Sequence, residues 1–595
     1  MSSQSYYVGI DVGTGSVRAT LVNKSGHVSA ISTRDTKTWR DPTDSRIFEQ
    51  STADIWSAIG IVIHAVLKDA GVEPSQVKGL GFDATCSLAV ADFEGEPVVV
   101  TKGERLGQHG ERNVILWADH RAEKEADLIN ASGSIVLDYV GGTMSLEMEI
   151  PKILWLKNNM SPSLFSKCQF FDLPDFLTYR ATHDTSRSCC SLTCKCSYVP
   201  NSGWQKDFFK RIGLQELSER DYTQIGVMEG EEVLIAGMPV GEGLSKKAAE
   251  ELGLLPGTPV GSALIDAYAG WMGTVAARYK VNGELSDVIP SLEESGHRLA
   301  AVAGTSTCHI VQSPKGIFVP GVWGPYKDPI ISGWWMNEGG QSSTGQLIDF
   351  ILTNHPAYPE AVKISKEQGK NVHIFIQELL EQLRAENEVD SLTELTKDLH
   401  LYPDFHGLTF DLFCKDDAEE KLYTGNRSPI ADPRMRGSVI GLELDNSLTS
   451  LCKQYHATLL AIALQTRHII DTLNGSGHQV TSIFMSGGQA RNTLLMQLFA
   501  DVCCMPVVLP ANSDQAVGLG AAMLGRLADA FGGRRMLEGE GGASGDVVEM
   551  TPPGMMIKPS CTQKEKKLLD AKYKIFLETI DIQKRWRKEI EEASK

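Results

Sequence analysis

Asp266 is the residue whose surroundings most need a chemical explanation. It lies in GSALIDAYAG, residues 261–270, where its neighbours are small or apolar apart from Ser262 and Tyr268. Removing a carboxylate from water is costly, so a buried one is paired, protonated or used in chemistry. The segment therefore marks Asp266 as a candidate acid or base whose partners must come from elsewhere in the chain.

Three glycine-containing turns are candidate phosphate-binding loops: DVGTGSVR (11–18), AGTST (303–307) and SGGQARN (486–492). Small residues let backbone N–H groups approach phosphate oxygens closely, and the third turn opens a predicted helix whose N-terminus favours anions. Each turn can also be explained by steric demands alone. Asp11 in the first turn corresponds to Val302 in the second, so only the first could hold a divalent metal. Together they predict a split nucleotide site.

The elements around these turns repeat along the chain. The first turn joins two apolar strands in YYVGIDVGTGSVRATLVN, and LAAVAGTSTCHIVQ repeats the pattern near residue 300. A helix over 52–70 presents apolar residues on one face and ends at Gly71. The second half has a helix over 448–473, then a strand over 479–485, a helix over 494–504, a strand over 506–509 and a helix over 515–530. This alternation predicts an α/β fold with mixed sheets and two related halves.

The predicted domain boundaries follow from composition. The first domain is assigned to 1–295 and the second to 296–530, with a polar joint over 282–298. The glycine-rich segment 531–546 is predicted to be a flexible linker, which leaves 531–595 as an appendage. Its helix carries an apolar stripe that is expected to dock on the second domain or to form a homodimer: Leu569, Tyr573, Phe576, Ile580 and Ile590.

Composition excludes several classes of function. The 595 residues suffice for two large domains, and 42% hydrophobic with 22% charged residues is ordinary for a globular protein. A net charge of −18 disfavours nucleic acid and anionic membrane surfaces as partners. No apolar run has the length of a membrane span, and MSSQSYYVGID lacks the pattern of a signal peptide, which predicts a cytoplasmic protein.

The twelve cysteines do not predict a disulfide scaffold. The cluster CCSLTCKC, 189–196, suggests a thiolate metal site, but it lacks paired CxxC spacing and a nearby HxxxH partner. The favoured interpretation is a strand of small residues.

The motifs resemble, in their order, those of the FGGY family of carbohydrate kinases. The matching segments are DVGTGSVR, the DAYAG of 266–270, AGTS, EGGQS at 338–342, RGSVIGL at 436–442 and MSGGQARN, and they span about residues 6 to 530. The resemblance implies two ribonuclease-H-like, actin-like ATPase domains with an interdomain catalytic cleft. It also implies that a sugar and MgATP meet in that cleft.

The resemblance further implies roles for individual residues. Asp266 corresponds to the family's catalytic base, and Asp11 and Asp266 correspond to positions that bind Mg²⁺ directly or through water. The other matches concern ATP: the first phosphate loop is Thr14, Gly15, Ser16 and Arg18, the second-domain phosphate contact is Thr305, and the further nucleotide contacts are Gly340, Gly488 and Asn492. An aspartate that accepts a hydroxyl proton suits phosphoryl transfer to a sugar.

The sugar pocket is expected to be lined by GFDATCSLAV (81–90), SLEMEIPKILWL (145–156) and CKCSY (194–198). Polyol hydroxyls need several polar partners, and candidates are Asp83, Thr85, Ser87, Glu147, Lys195 and Glu338, each of which also has a structural explanation. Lys195 and Glu338 match the ketose contacts of the ribulokinase branch, and Cys86 matches a small side chain beside the sugar. DATCSLAV resembles the D-ribulokinase subgroup, whereas Glu149 departs from the xylulokinase and glycerol kinase patterns.

The sequence therefore predicts phosphorylation of a ketopentose by ATP, with D-ribulose favoured and D-ribulose 5-phosphate as product. L-ribulose, ribitol and D-xylulose remain alternatives within the class, because sequence does not reveal the geometry that separates hydroxyl epimers. A non-catalytic, actin-like nucleotide or sugar switch remains the alternative of a different class. Such a switch would have no need for a carboxylate at Asp266.

Overall fold

The computed structural model describes residues 4–228, 230–281, 283–286, 290–405, 426–432, 434–531 and 543–595. Its strands, in chain order, are β1 (Tyr6–Val12), β2 (Ser16–Asn23), β3 (Val28–Asp35), β4 (Trp39–Arg40), β5 (Phe48–Gln50), β6 (Val77–Ala84), β7 (Leu88–Asp92), β8 (Val114–Ile115), β9 (Cys168–Asp172), β10 (Val260–Ile265), β11 (Tyr279–Val281), β12 (Glu284–Leu285), β13 (Arg298–Ala303), β14 (Thr307–Ser313), β15 (Trp323–Lys327), β16 (Trp335–Gln341), β17 (His400–Tyr402), β18 (Ser438–Ile440), β19 (Ser482–Ser486), β20 (Val507–Pro510) and β21 (Gly554–Ile557).

The α-helices of the same residues are α1 (Thr52–Ala70), α2 (Glu123–Asn130), α3 (Glu149–Asn159), α4 (Pro162–Phe165), α5 (Leu173–Thr182), α6 (Cys189–Cys194), α7 (Lys206–Arg211), α8 (Gln215–Glu219), α9 (Lys246–Leu252), α10 (Asp266–Met272), α11 (Leu292–Ser295), α12 (Gly345–Asn354), α13 (Tyr358–Glu367), α14 (Val372–Glu386), α15 (Leu392–Leu395), α16 (Leu448–Gly475), α17 (Thr493–Cys503), α18 (Ala516–Phe531), α19 (Ala543–Met550) and α20 (Gln563–Ala593). None of the helices in the described part of the chain is long and apolar enough to cross a membrane.

The first large sheet has the strand order β10-β6-β1-β2-β3. β1 pairs antiparallel with β2 and parallel with β6, and β6 pairs parallel with β10. Its parallel strands β1, β6 and β10 are buried over most of their length, which accounts for their largely apolar sequence. The carboxyl ends of three parallel strands therefore lie along one edge of this sheet.

The second large sheet repeats that arrangement. Five of its strands, in the order β20-β19-β13-β14-β16, correspond one by one to β10-β6-β1-β2-β3. As in the first sheet, β13 is antiparallel to β14 and parallel to β19. The two glycine hairpins are thus equivalent: β1 and β2 correspond to β13 and β14. The prediction of two related α/β halves is confirmed.

Helix α18 joins the two halves. Its sequence lies in the predicted second domain, yet it packs on β1, β6 and β10 of the first sheet. A Cβ atom on Gly79 would overlap the carbonyl oxygen of Gly525, and one on Gly9 would overlap that of Gly518. Glycine is needed at this seam because helix and sheet backbones are in direct contact.

Most predicted helices lie where they were expected. α1 spans the predicted residues, with Ser51 as N-cap and Gly71 in the left-handed conformation at its end, and α16 extends two residues beyond its predicted terminus. The strand assigned to CCSLTCKC is wrong, because residues 189–194 form α6. The Ser188 side chain accepts a hydrogen bond from Ser191 N and caps that helix, a local signal that outweighs strand propensity.

Strand β21 and helix α20 of the C-terminal region belong to the second half of the molecule. β21 extends the second sheet by pairing with β20, and Leu569, Tyr573, Phe576 and Ile580 of α20 are buried in its core. Ile590, the fifth residue of the predicted stripe, is 67% exposed. Of the predicted linker, residues 532–542 lie outside the described residues, as do 282 and 287–289 of the predicted joint. The boundaries at 295 and 530 stay predictions.

Candidate active site

Asp266 is held at the junction of β10 and α10. Its Oδ1 accepts a hydrogen bond from Ala267 N over 2.7 Å, at the first turn of the helix. Burial, followed by the negative charge of Asp11, raises the pKa of Asp266 to about 7. A carboxylate with a pKa near neutrality is well suited to accept a proton from a hydroxyl group.

Asp11 and Asp83 lie on the same sheet edge as Asp266. Asp11 of β1 is in register with Asp83 of β6, and β10 flanks β6 on its other side. Asp83 is fully buried, and burial with the charges of Asp11 and Asp266 raises its pKa well above the ordinary value. Arg18 Nη1 lies 3.5 Å from Asp11 Oδ2. Three acidic side chains thus converge where the sequence predicted two metal-binding positions.

The first glycine turn presents exposed backbone beside these acids. Gly13 N donates to Ser16 O over 2.9 Å and closes the turn, while Gly15 has open space around its Cα. Trp117 Nε1 donates to Thr14 Oγ1 over 3.0 Å, and Gln50 Nε2 donates to Thr14 O over 2.8 Å. The turn is therefore fixed on its protein side and open on the other.

The second and third glycine turns lie against each other. A Cβ atom on Gly487 would overlap the carbonyl oxygen of Ala303, the first residue of the second turn. Thr305 is exposed, and its carbonyl oxygen accepts hydrogen bonds from Thr344 N and Gln346 N. Gly488 is exposed at the start of the third turn, with open space around it. Turns far apart in the chain thus form one surface.

Asn492 has a structural role in addition to its predicted nucleotide contact. Its Oδ1 accepts from Leu495 N as the N-cap of α17, and its Nδ2 donates to Tyr455 Oη over 2.9 Å. Gln377 Nε2 also donates to Asn492 Oδ1. The amide is therefore held by three protein partners, and the nucleotide contact stays a prediction.

The first and second sheets meet near Asp266. A Cβ atom on Gly270 of α10 would lie 2.7 Å from Val302 Cγ2 of β13. Glu338 of β16 and Lys195, which follows α6, are close enough to affect the pKa of Asp266. Asp266 is thus close to polar groups from both halves of the chain.

Lys195 and Glu338 form a buried ion pair. Lys195 Nζ lies 3.4 Å from Glu338 Oε2, and their side chains are 1% and 3% exposed. Burial alone would lower the pKa of Lys195, but the Glu338 carboxylate and other neighbours hold it well above the ordinary value. The pairing of these two predicted sugar contacts joins the segments before and after residue 295.

Arg427 extends this ion pair and was not found by sequence analysis. Its Nη2 lies 2.9 Å from Glu338 Oε1 and 3.5 Å from Glu147 Oε2. The guanidinium lies over the Trp323 ring at 4.4 Å, and Lys195 Nζ lies 4.2 Å from the same ring centroid. No sequence motif distinguishes this arginine from a surface one, because its partners are distant in the chain.

Gly340 lies beneath Arg427. A Cβ atom on Gly340 would be 2.5 Å from Arg427 Nε, so the absence of a side chain makes room for the guanidinium. This contact is on the Glu338 side of the cleft, and it gives Gly340 a steric role besides the nucleotide contact implied by the family resemblance. The nucleotide contact stays a prediction.

The polar side chains of the GFDATCSLAV segment have different surroundings from one another. Cys86 is buried, and burial raises the pKa of its thiol well above the ordinary value, although Lys195 opposes the shift. Thr85 and Ser87 share a hydrogen bond of 3.1 Å, and Ser87 Oγ accepts from Trp117 N. Thr85 and Ser87 thus brace the turn that follows β6, and the Cys86 thiol lies close enough to Lys195 for that charge to affect its pKa.

Comparisons with known proteins identify the family. Residues 6–273 match the N-terminal domain and residues 299–528 the C-terminal domain of the FGGY family of carbohydrate kinases. A protein of Saccharomyces cerevisiae named D-ribulokinase is 43% identical over 88% of this chain and 72% of its own. A human FGGY carbohydrate kinase domain-containing protein is 40% identical over 98% of this chain and 97% of its own.

A solved structure has the same fold. The xylulose kinase from Rhodospirillum rubrum superposes with a TM-score of 0.70 over 98% of this chain and 99% of its own, at 20% identity. The paired sheets of the actin-like fold are therefore common to both proteins. With both domains matched across most of its length, this chain belongs to the FGGY family of carbohydrate kinases.

Proposed function

We propose that this kinase transfers the γ-phosphoryl group of ATP to the terminal hydroxyl of D-ribulose, giving D-ribulose 5-phosphate, with Asp266 as general base. The observation that carries the proposal is the position of Asp266 between the acidic sheet edge and the Lys195–Glu338 pair. A base must lie within reach of both the acceptor hydroxyl and the phosphoryl group, and a position beside the acidic edge and the buried ion pair supports that role for Asp266.

Asp266 acts by accepting a proton. A sugar hydroxyl is a weak nucleophile at neutral pH, so attack on phosphorus is helped when a carboxylate takes up its proton as the new P–O bond forms. The raised pKa of Asp266, about 7, makes that transfer more favourable than it would be for an ordinary aspartate. The hydrogen bond from Ala267 N fixes Oδ1 and leaves Oδ2 for the hydroxyl.

Lys195 and Glu338 supply polar contacts for the ketose. An ammonium donates to the oxygens of a ketose, and a carboxylate accepts from its hydroxyls, so the pair can orient the sugar with its terminal hydroxyl towards Asp266. Cys86 would bound the pocket with a small side chain. A buried pair of this kind discriminates among epimers, because a misplaced hydroxyl cannot complete the hydrogen bonds of the buried groups.

The acidic edge suits a divalent cation. Neither oxygen of Asp83 accepts a hydrogen bond from the N–H and O–H donors of the described residues, and Asp11 and Asp266 add two further carboxylates. Asp11 and Asp266 would hold Mg²⁺ directly or through water, together with the phosphate oxygens of ATP, although in the described part of the chain no three Asp, Glu, His or Cys side chains are placed to hold an ion by themselves. When bound, Mg²⁺ neutralises charge on the phosphates of ATP.

The glycine turns are the proposed sites for ATP. The first turn, with Thr14, Gly15, Ser16 and Arg18, offers an exposed glycine and a cation beside the acidic edge. The second and third turns form a joint surface on the opposite half of the cleft, where Thr305 and Gly488 are exposed. Closure of the two halves would exclude water and favour transfer to the sugar over hydrolysis.

D-ribulose is favoured by the relative named D-ribulokinase and by the GFDATCSLAV segment. The test measures ADP release by the purified protein with D-ribulose, L-ribulose, D-xylulose and ribitol, each over a range of concentrations. The proposal expects the highest kcat/KM with D-ribulose. A higher value with another sugar would replace the substrate, and ATP binding without stimulation by any sugar would favour the non-catalytic switch.

A further inference from the structure

Arg427 lies at the centre of an alternating chain of charges. The order is Lys195, Glu338, Arg427, Glu147, with closest N to O distances of 3.4, 2.9 and 3.5 Å. The side chains of all four residues are at most 13% exposed. Ion pairs so well shielded from water are much less screened than those at the surface.

This chain of charges crosses the cleft twice. Lys195 and Glu147 lie in the part that matches the family's N-terminal domain, and Glu338 and Arg427 lie in the part that matches its C-terminal domain. The Arg427–Glu338 pair is therefore internal to one domain. The outer two contacts join the two matched parts, so separation of those parts would break them.

We propose that Arg427 is a positioning residue that holds the Glu338 carboxylate for the sugar and, through Glu147, couples sugar binding to closure of the cleft. The sugar part of this inference rests on the proposed function. The bridge to Glu147 rests on the geometry alone.

The local structure favours arginine at this position. One nitrogen, Nη2, contacts both carboxylates, and the planar guanidinium stacks on Trp323. A lysine ammonium has neither the planar fork nor the same stacking geometry. The backbone is fixed as well, because Ser428 N donates to Gly340 O over 3.1 Å.

The backbone of Glu147, the other residue of the Arg427–Glu147 bridge, is also held in place. Lys152 Nζ donates to Glu147 O over 3.3 Å, which ties the loop before α3 to that helix. Opening of the cleft would leave Glu147 without the guanidinium and Lys195 without the Glu338 carboxylate. Each separation of a buried pair opposes opening, and a sugar that bridges Lys195 and Glu338 would add to the same effect.

The binding test uses calorimetry with the sugar that gives the highest kcat/KM in the panel. Glu147→Gln should weaken sugar binding about tenfold, and Arg427→Met about a hundredfold, because the second change also releases Glu338. Binding of a non-hydrolysable ATP analogue without sugar should change less than threefold in both. The double variant should bind sugar no more weakly than Arg427→Met alone.

Two control variants distinguish the effect of where the Arg427 guanidinium lies from the effect of losing a positive charge. Arg434→Met removes an arginine from the neighbouring chain segment that pairs with Glu591 at the surface, and it should leave sugar binding unchanged. Gly340→Ala keeps the charge but pushes against Arg427, so it should weaken sugar binding as Arg427→Met does. Unchanged sugar affinity in Glu147→Gln and Arg427→Met, or additive effects in the double variant, would overturn the proposal.

A second measurement does not depend on the sugar. Amide hydrogen exchange of residues 145–149 in the ligand-free protein should be faster in Arg427→Met than in the wild type or Arg434→Met. If no sugar stimulates ADP release, the proposed function fails while this result still reports on the bridge. Equal exchange in all three proteins would contradict the bridge itself.

Discussion

The indole of Trp117 is hydrogen-bonded to Thr14, with Nε1 donating to Oγ1 over 3.0 Å, so the first glycine turn is fixed from the side opposite its exposed backbone. Trp117→Phe removes the donor but keeps an aromatic ring. The loss of one hydrogen bond, ~1 kcal/mol, should raise the KM for ATP about fivefold with little change in the KM for sugar. Trp204→Phe, whose indole donates to Gly226 O and Val227 O, is the control. Equal KM values for ATP in Trp117→Phe and the wild type would contradict this role.

The seam between α18 and the first sheet should tolerate no added methyl group. Gly79→Ala would force a Cβ atom into the Gly525 carbonyl, and overpacking of this kind costs ~1–3 kcal/mol or more. Thermal unfolding should therefore shift to lower temperature. Gly475→Ala, at the end of α16 with open space around it, should shift the transition far less. Equal midpoint temperatures of unfolding in the two variants would show that the helix and the sheet can move apart at this seam without loss of stability.

The raised pKa of Asp266 makes a prediction for stability as a function of pH. The folded protein holds this proton up to about pH 7, whereas the unfolded chain releases it near the ordinary value of 3.8. The wild type therefore loses stability from this group as pH rises from about 4 to 7, and Asp266→Asn does not. In metal-free protein, the variant's advantage in free energy of unfolding should grow by ~3 kcal/mol between pH 5 and pH 8. Urea titrations at both pH values measure it, and an advantage that does not change with pH would contradict the shift.

Helix α20 should be an integral part of the second half of the molecule. Phe576 is buried and its ring centroid lies 5.1 Å from that of Tyr402, so Phe576→Ala should cost ~3–5 kcal/mol. Ile590→Ala changes an exposed residue of the same helix and should stay within ~0.5 kcal/mol. Chemical denaturation of both variants gives the comparison. Equal stabilities would mean that the helix contributes little to the core.

Local signals explain why much of the fold could be predicted from sequence. Ser51 and Gly71 mark the ends of α1, and the glycine turns mark both hairpins, since each signal acts within a few residues. The interpretation of CCSLTCKC failed because a short buried apolar segment has no distinctive period, and its Ser188 cap was overlooked.

The site was predictable only where it follows a motif. Asp266 and Asp11 are distinguished by their local sequence, and the resemblance to the family adds Lys195 and Glu338, which the structure brings into contact. Arg427 was missed because burial and long-range pairing are properties of the folded chain. For the same reason, the contact between Gly340 and Arg427 could not be predicted, because the two residues are far apart in the sequence.

The most direct test of the account compares the wild type with Asp266→Asn in steady-state ADP release with D-ribulose, with calorimetry for binding. The variant keeps the size of the side chain and an oxygen for Ala267 N, but it cannot act as a base. We expect wild-type turnover that depends on D-ribulose, a kcat in the variant at least ~100-fold lower, and affinities for sugar and ATP analogue within about threefold of wild type. A variant that folds, binds both ligands and retains more than about a tenth of wild-type kcat would contradict the assignment of Asp266 as the base.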